Sequence, residues 1–209
     1  MADETSWLRA LAEVFVARPL SRLGVSRKQV MALRMAVGIL AAGMLAAGPD
    51  FFSGAAAVFV LGIMLARADA ALAPLPKEEG AAAGFFARAS DVLSIALAFA
   101  GLGAGLQASA ADLRITELGF PAPLILGVVA AVAVLIVSWL VQRLEVIDGR
   151  RAPEFAGLHG FDVADLALVI PFALLAGWVE GLLVVTAFGG AAFAGGIYMA
   201  HFRKFHHLT

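Results

Sequence analysis

Residues 123 to 141 read PLILGVVAAVAVLIVSWLV, nineteen residues with no charge among them. As a helix rising about 1.5 Å per residue, this run is about 28 Å long, close to the thickness of a bilayer's hydrocarbon core. In water it would expose apolar surface on every side. In lipid, where each backbone N–H and C=O must be satisfied inside the segment, a helix is the available solution. The composition agrees: the 209 residues are 62% hydrophobic and 15% charged, and the mean hydropathy is +0.92. An integral membrane protein is the class this predicts.

Further apolar runs predict an all-α polytopic bundle of six transmembrane helices, at about 28–47, 51–73, 81–107, 123–141, 164–178 and 182–200. Ser26 can cap the first span, and Pro49 and Asp50 make a tight connection to the second. The PLPKEEG stretch from Pro74 to Gly80 breaks helix and returns to water. Only VEG separates the last two spans, which predicts a tight outer hairpin there. Before the first span, Leu8, Leu11, Phe15 and Val16 recur at helical spacing with Arg9, Glu13 and Arg18 elsewhere on the wheel. This reads as an N-terminal amphipathic helix over residues 6–17, within a surface-helix region reaching residue 23 and ended by Pro19. The opening MADETSWLRALAEVF puts acidic residues first and has no clean apolar run, so no cleaved secretory signal is expected. The chain reads as one integral membrane domain, 1–209.

Orientation follows from the basic residues. With the N-terminus inside, Arg9, Arg18, Arg22, Arg27, Lys28, Lys77, Arg143, Arg150, Arg151, Arg203 and Lys204 face the cytoplasm, and the outer connections hold only Arg114. Both termini are then cytoplasmic, as six spans require, in a bacterial-type inner (plasma) membrane. The formal net charge of −1 gives no basis for a nucleic-acid partner, and the absence of cysteine leaves any metal to oxygen or His ligands. His206 and His207 read as a tail beside Arg203 and Lys204, and His159 reads as a loop residue. Small residues cluster in GLGAG at 101–105 and GGAAFAGG at 189–196, which permits close helix approach within the chain or, along the third span, a homodimer.

Charges at the inner ends of spans two and three are the least expected feature. Arg67 and Asp69 close the second span, and Arg88 and Asp91 open the third. An ionisable group left unpaired near lipid costs at least ~2.5 kcal/mol, so such residues are functional candidates. On their helices Ala66, Asp69, Ala70 and Ala73 share one face, and Ala87 and Asp91 share another, so the two aspartates can oppose each other. Arg88 is three positions from Asp91 and can pair with it directly.

The stretch VARPLSRLGVSRKQVMALRMAVGIL, the span ending in charges and the HGFDVADLALVIPFALLAG entry to the fifth span resemble the CDP-alcohol phosphatidyltransferases. These are six-span enzymes that join a CDP-linked lipid to an alcohol. The family motif, D-x-x-D-G-x-x-A-R, eight residues, then G-x-x-x-D-x-x-x-D, falls without a gap on Ala66, Asp69, Ala70, Ala73, Pro74, Ala83, Ala87 and Asp91. Only Asp69, Ala73 and Asp91 match. The family's Pro-Asn and later Thr of the first span are replaced by Arg27, Lys28 and Met31, whereas Arg34 stands where many relatives have an arginine.

The resemblance implies that Asp69 and Asp91 are the survivors of four aspartates that hold divalent metal ions on the CDP diphosphate, Asp91 at the position of the catalytic base. It also places Arg34, Arg67, Ala73 and Arg88 on the substrate side. With two of the four carboxylates replaced by Ala66 and Ala87, Mg or Mn is expected only in an active enzyme. Asp69, Asp91, Arg67 and Arg88 sum to zero charge, as four aspartates and two divalent ions do, and arginine forks suit phosphate. The expectation is therefore a divergent, non-catalytic relative that binds a phospholipid or CDP-linked head group at the cytoplasmic face, or serves a partner membrane enzyme. An active phosphatidyltransferase of phospholipid synthesis with an altered site, and a small transporter or structural subunit, are the rivals.

Overall fold

The computed structural model describes residues 13–17, 19, 25, 27–72, 81–109, 117–148, 167–202 and 205. Every element among them is helical. Helix α1 is Arg27–Ala47, α2 is Phe52–Leu72, α3 is Ala81–Gln107 and α4 is Pro123–Asp148. A short α5, Val169–Leu175, precedes α6, Val179–Val184, which continues through a π turn, Val185–Gly189, into α7, Gly190–Ala200. Five of these helices, counting Val179–Ala200 as one, are long and apolar enough to cross a membrane.

The exposed side chains fit that environment. On α4, Ile125, Val128, Val129, Val132, Leu135, Ile136 and Trp139 form a continuous exposed stripe. Several turns of bare aliphatic surface would drive aggregation in water, whereas lipid solvates them without penalty. The interior is built around α3, half of whose spanning stretch is buried inside the protein (50%), against 17% of Val179–Ala200. Helices α1 and α4 flank α3, and the fully buried Leu45, Leu102 and Leu126 interdigitate between them with Leu183 of α6.

Local chemistry sets the element ends. Gly48, at φ 118°, allows the reversal after α1, and a turn of 3-10 helix, Pro49–Phe51, leads into α2. Pro123 starts α4 at the position where a missing N–H costs nothing, and Gln107 at the end of α3 accepts the Leu124 amide at 3.4 Å. After α5 the chain reverses at Gly177, φ +72°, where the Trp178 amide donates to Ala173 O at 2.8 Å and the Gly177 amide to Leu174 O at 3.4 Å, a Schellman closure.

That closure corrects the expected hairpin. The turn is Ala176–Gly177–Trp178, and Val179 and Glu180 of VEG already lie in the next helix. The left-handed glycine, rather than the acidic residue, decides where the chain turns. Helix α4 also runs seven residues beyond the expected end at 141, because Gln142 to Asp148 form a good helical sequence past the apolar run. Of the span expected at 164–178, the described helix is Val169–Leu175, and residues 164–166 lie outside the described residues. Of the surface segment at 6–23, the described element is a π-helical turn, Glu13–Ala17; its Val16 packs with Val25 and Val58 on a small cluster of Val30, Val37 and Leu65 joining α1 and α2.

Candidate functional site

The candidate site lies where α1 and α3 meet. A Cβ built on Gly38 would meet the Ser94 side chain, one on Gly101 would meet Ala42 O, and one on Gly105 would meet Leu45 O. Going up α1 from 34 to 45, the partners on α3 also rise, from 91 to 105, so the two helices run parallel, as the first and third spans of a serpentine chain must. GLGAG is thus a two-sided device. Gly101 and Gly105, one turn apart, admit the α1 backbone, and Gly103 on the other side faces Gly127 of antiparallel α4, where an added Cβ would lie 2.8 Å from the Gly127 Cα. The seam expected to serve either the chain or a homodimer is occupied inside the chain.

At one end of the glycine seam, backbone contact gives way to charge. Arg34 Nη2 bridges to Asp91 Oδ1 across the two helices. Arg34 is 4% exposed, whereas the Asp91 side chain is 48% exposed, so the guanidinium lies inside the bundle and the carboxylate looks out of it. Arg34 is the only charge between Gln29 and Ala47. A buried guanidinium requires an anion, and Asp91 supplies it. One turn on, Ser94 Oγ donates to Ser90 O at 2.8 Å, while Ser90 Oγ, in a residue 5% exposed, has no hydrogen-bond partner among the described residues. Eleven residues, close to three turns, separate Ser90 from Gly101, which aligns Ser90 with the α1-facing stripe of α3.

Of the residues singled out by sequence, the structure brings Arg34 and Asp91 together. The backbones of Arg67, Asp69 and Arg88 are helical, in α2 and α3, but their side chains lie outside the described residues, as does Ala73 altogether. Asp91 is joined to Arg34 of α1, and the expected pairing with Arg88 lies outside the described side chains. Sequence reasoning placed Arg34 on the substrate side and missed this pairing, although a lone arginine in an apolar run was itself a signal that an acid must face it. It missed Ser90 entirely.

Among the described residues the donor set is too small for a pair of divalent ions. Hard cations take six or more oxygen ligands, with carboxylates bridging a two-metal site. Ala66 and Ala87 supply none, and Asp91 already receives a guanidinium. Among the described residues no group of three His, Asp or Glu side chains stands close enough to hold a metal ion. Compared with models of known protein families and with curated proteins, the chain matches none.

Proposed function

We propose that this protein is a six-span membrane protein of CDP-alcohol phosphatidyltransferase type, with an N-terminal surface helix and both termini cytoplasmic in a bacterial-type inner membrane. Its inner site binds a phospholipid or CDP-linked head group without transferring it. What supports this most is the Arg34–Asp91 bridge: at the position where the resemblance expects the base, the carboxylate is answered by a cation from the chain itself. Two of the motif's other carboxylates are alanines, so phosphoryl transfer would lack the metal ions that spread its charge. By sequence, Arg67 and Asp69 near the end of α2 and Arg88 near the start of α3 add to that bridge for a sum of +1, a sign that suits the phosphate of a head group.

Calorimetric titration of the purified, chelator-stripped protein with CDP-diacylglycerol and with anionic phospholipid, each with and without magnesium, tests this. Binding that needs no magnesium, weakens on Arg88→Ala and releases no CMP is expected. Magnesium-dependent binding lost on Asp91→Asn, with CMP release when an alcohol is added, would establish an active transferase instead. Failure to bind either lipid would leave a structural or partner-holding subunit.

A further inference from the structure

The Arg34–Asp91 bridge leaves a neighbouring donor unanswered. Gly38 of α1 packs on Ser94 of α3, so Arg34 and Ser90, one turn back on each of the two parallel helices, stand at one level of the α1–α3 interface. Both are buried, and Val30 and Val37, about a turn to either side of Arg34, are buried as well. Ser94 settles its hydroxyl on Ser90 O, whereas Ser90 Oγ has no hydrogen-bond partner among the described residues. Asp91, the anion at this level, bridges to Arg34 without meeting Ser90 Oγ, and its side chain is half-exposed.

A buried hydroxyl left without a partner keeps its full desolvation cost, and a buried guanidinium holds its anion strongly because little water screens it. The carboxylate that answers the guanidinium does not reach the serine. A phosphate presents its oxygens tetrahedrally, so it can meet the arginine fork with one pair and accept from the serine with another. We propose that Asp91 is a built-in stand-in for phosphate. A phosphate-bearing ligand displaces it from Arg34, accepts hydrogen bonds from the guanidinium and from Ser90 Oγ, and sends the carboxylate out to water. Asp91 then keeps the buried cation paired between binding events and lowers the affinity of the site, and Ser90 is a binding residue. This deepens the reading of the inner site as a head-group site and rests on it.

The test is calorimetric titration of the full chain in detergent with phosphatidylglycerol, and separately with inorganic phosphate, for the wild type, Asp91→Asn and Ser90→Ala. Asp91→Asn removes the competing charge and keeps an amide oxygen for Arg34; it is expected to bind about tenfold more tightly, the scale of one half-screened ion pair. Ser90→Ala is expected to bind more weakly yet to unfold no earlier than the wild type, since its hydroxyl has no partner to lose. Both changes seen with inorganic phosphate name free phosphate as a ligand, and both seen with phosphatidylglycerol alone name a lipid head group. Tighter binding by Asp91→Asn where the wild type binds too weakly to measure also supports the exchange. Wild-type binding that Asp91→Asn does not strengthen, or that Ser90→Ala leaves unchanged, would overturn the exchange and leave the head-group reading standing; the Ser90→Ala arm decides if Asp91→Asn fails to fold. No binding of either probe by any of the three proteins would overturn both.

Discussion

Replacing Gly105 by alanine sets a methyl group against Leu45 O, with Leu45 C at 3.1 Å and Gly48 Cα at 3.3 Å behind it. All three neighbours are backbone, so no side chain can rotate away, and α1 and α3 have to part locally by about an ångström. A gap of that size forfeits about a quarter to a half of the dispersion attraction of each atom pair across it. Overpacking of this kind costs about 1–3 kcal/mol, and the rigid neighbours place Gly105→Ala in the upper part of that range. Alanine's better helix propensity returns about 0.5–1 kcal/mol, leaving a net loss of about 1–2 kcal/mol. Gly195→Ala is the matched control, since a Cβ there meets nothing within 4 Å, and it is expected to be neutral or slightly stabilising. Reversible unfolding in mixed micelles, titrated with a denaturing detergent, measures both. A Gly105→Ala protein as stable as the wild type, or a Gly195→Ala protein as damaged as Gly105→Ala, would refute the claim that α1 and α3 touch through backbone.

The Arg34–Asp91 bridge is asymmetric, and its two truncations are expected to differ. Asp91→Ala removes a carboxylate facing a buried guanidinium, whereas Arg34→Ala leaves a carboxylate that is half-exposed, so Asp91→Ala is expected to be the more damaging of the two. In a double-mutant cycle in the same unfolding assay, the double alanine variant is expected to be more stable than Asp91→Ala alone; equal single losses would contradict the burial difference. Gly177→Ala forces a side chain into φ +72° and is expected to cost about 1–2 kcal/mol, read as a lowered Tm, while Gly181→Ala, in helical backbone with open space around it, should not lower it.

Much of the bundle was legible because lipid imposes a simple code. The apolar runs at 28–47, 51–73, 81–107 and 123–141 fall within a residue or two of α1, α2, α3 and the apolar part of α4. The end of α4 was less legible, since Gln142 to Asp148 mixes charged residues with Leu144, Val146 and Ile147, and a search for uncharged runs stops too early. The hairpin before α6 was placed at VEG because that stretch separates two apolar runs, while Gly177 carried the backbone signal. GLGAG announced close packing, but its alternate glycines facing two different helices is a three-dimensional fact that no run of small residues states. The site was legible only in part. A charge pair on neighbouring spans can be guessed, but which cation faces Asp91 depends on the parallel register of α1 and α3, and the glycine contacts set that register.

Asp91, at the position that the resemblance gives to the base, is held by Arg34, and the proposed site therefore needs no metal ion there. Manganese titration of the purified, chelator-stripped protein, followed by the electron paramagnetic resonance signal of free aquated Mn²⁺, tests it directly. The free-ion signal is expected to be the same with the wild-type chain as with Asp91→Asn, and the same again when CDP-diacylglycerol is present. A stoichiometric loss of the free signal in the wild type that Asp91→Asn abolishes would contradict it and return the site to metal-dependent chemistry.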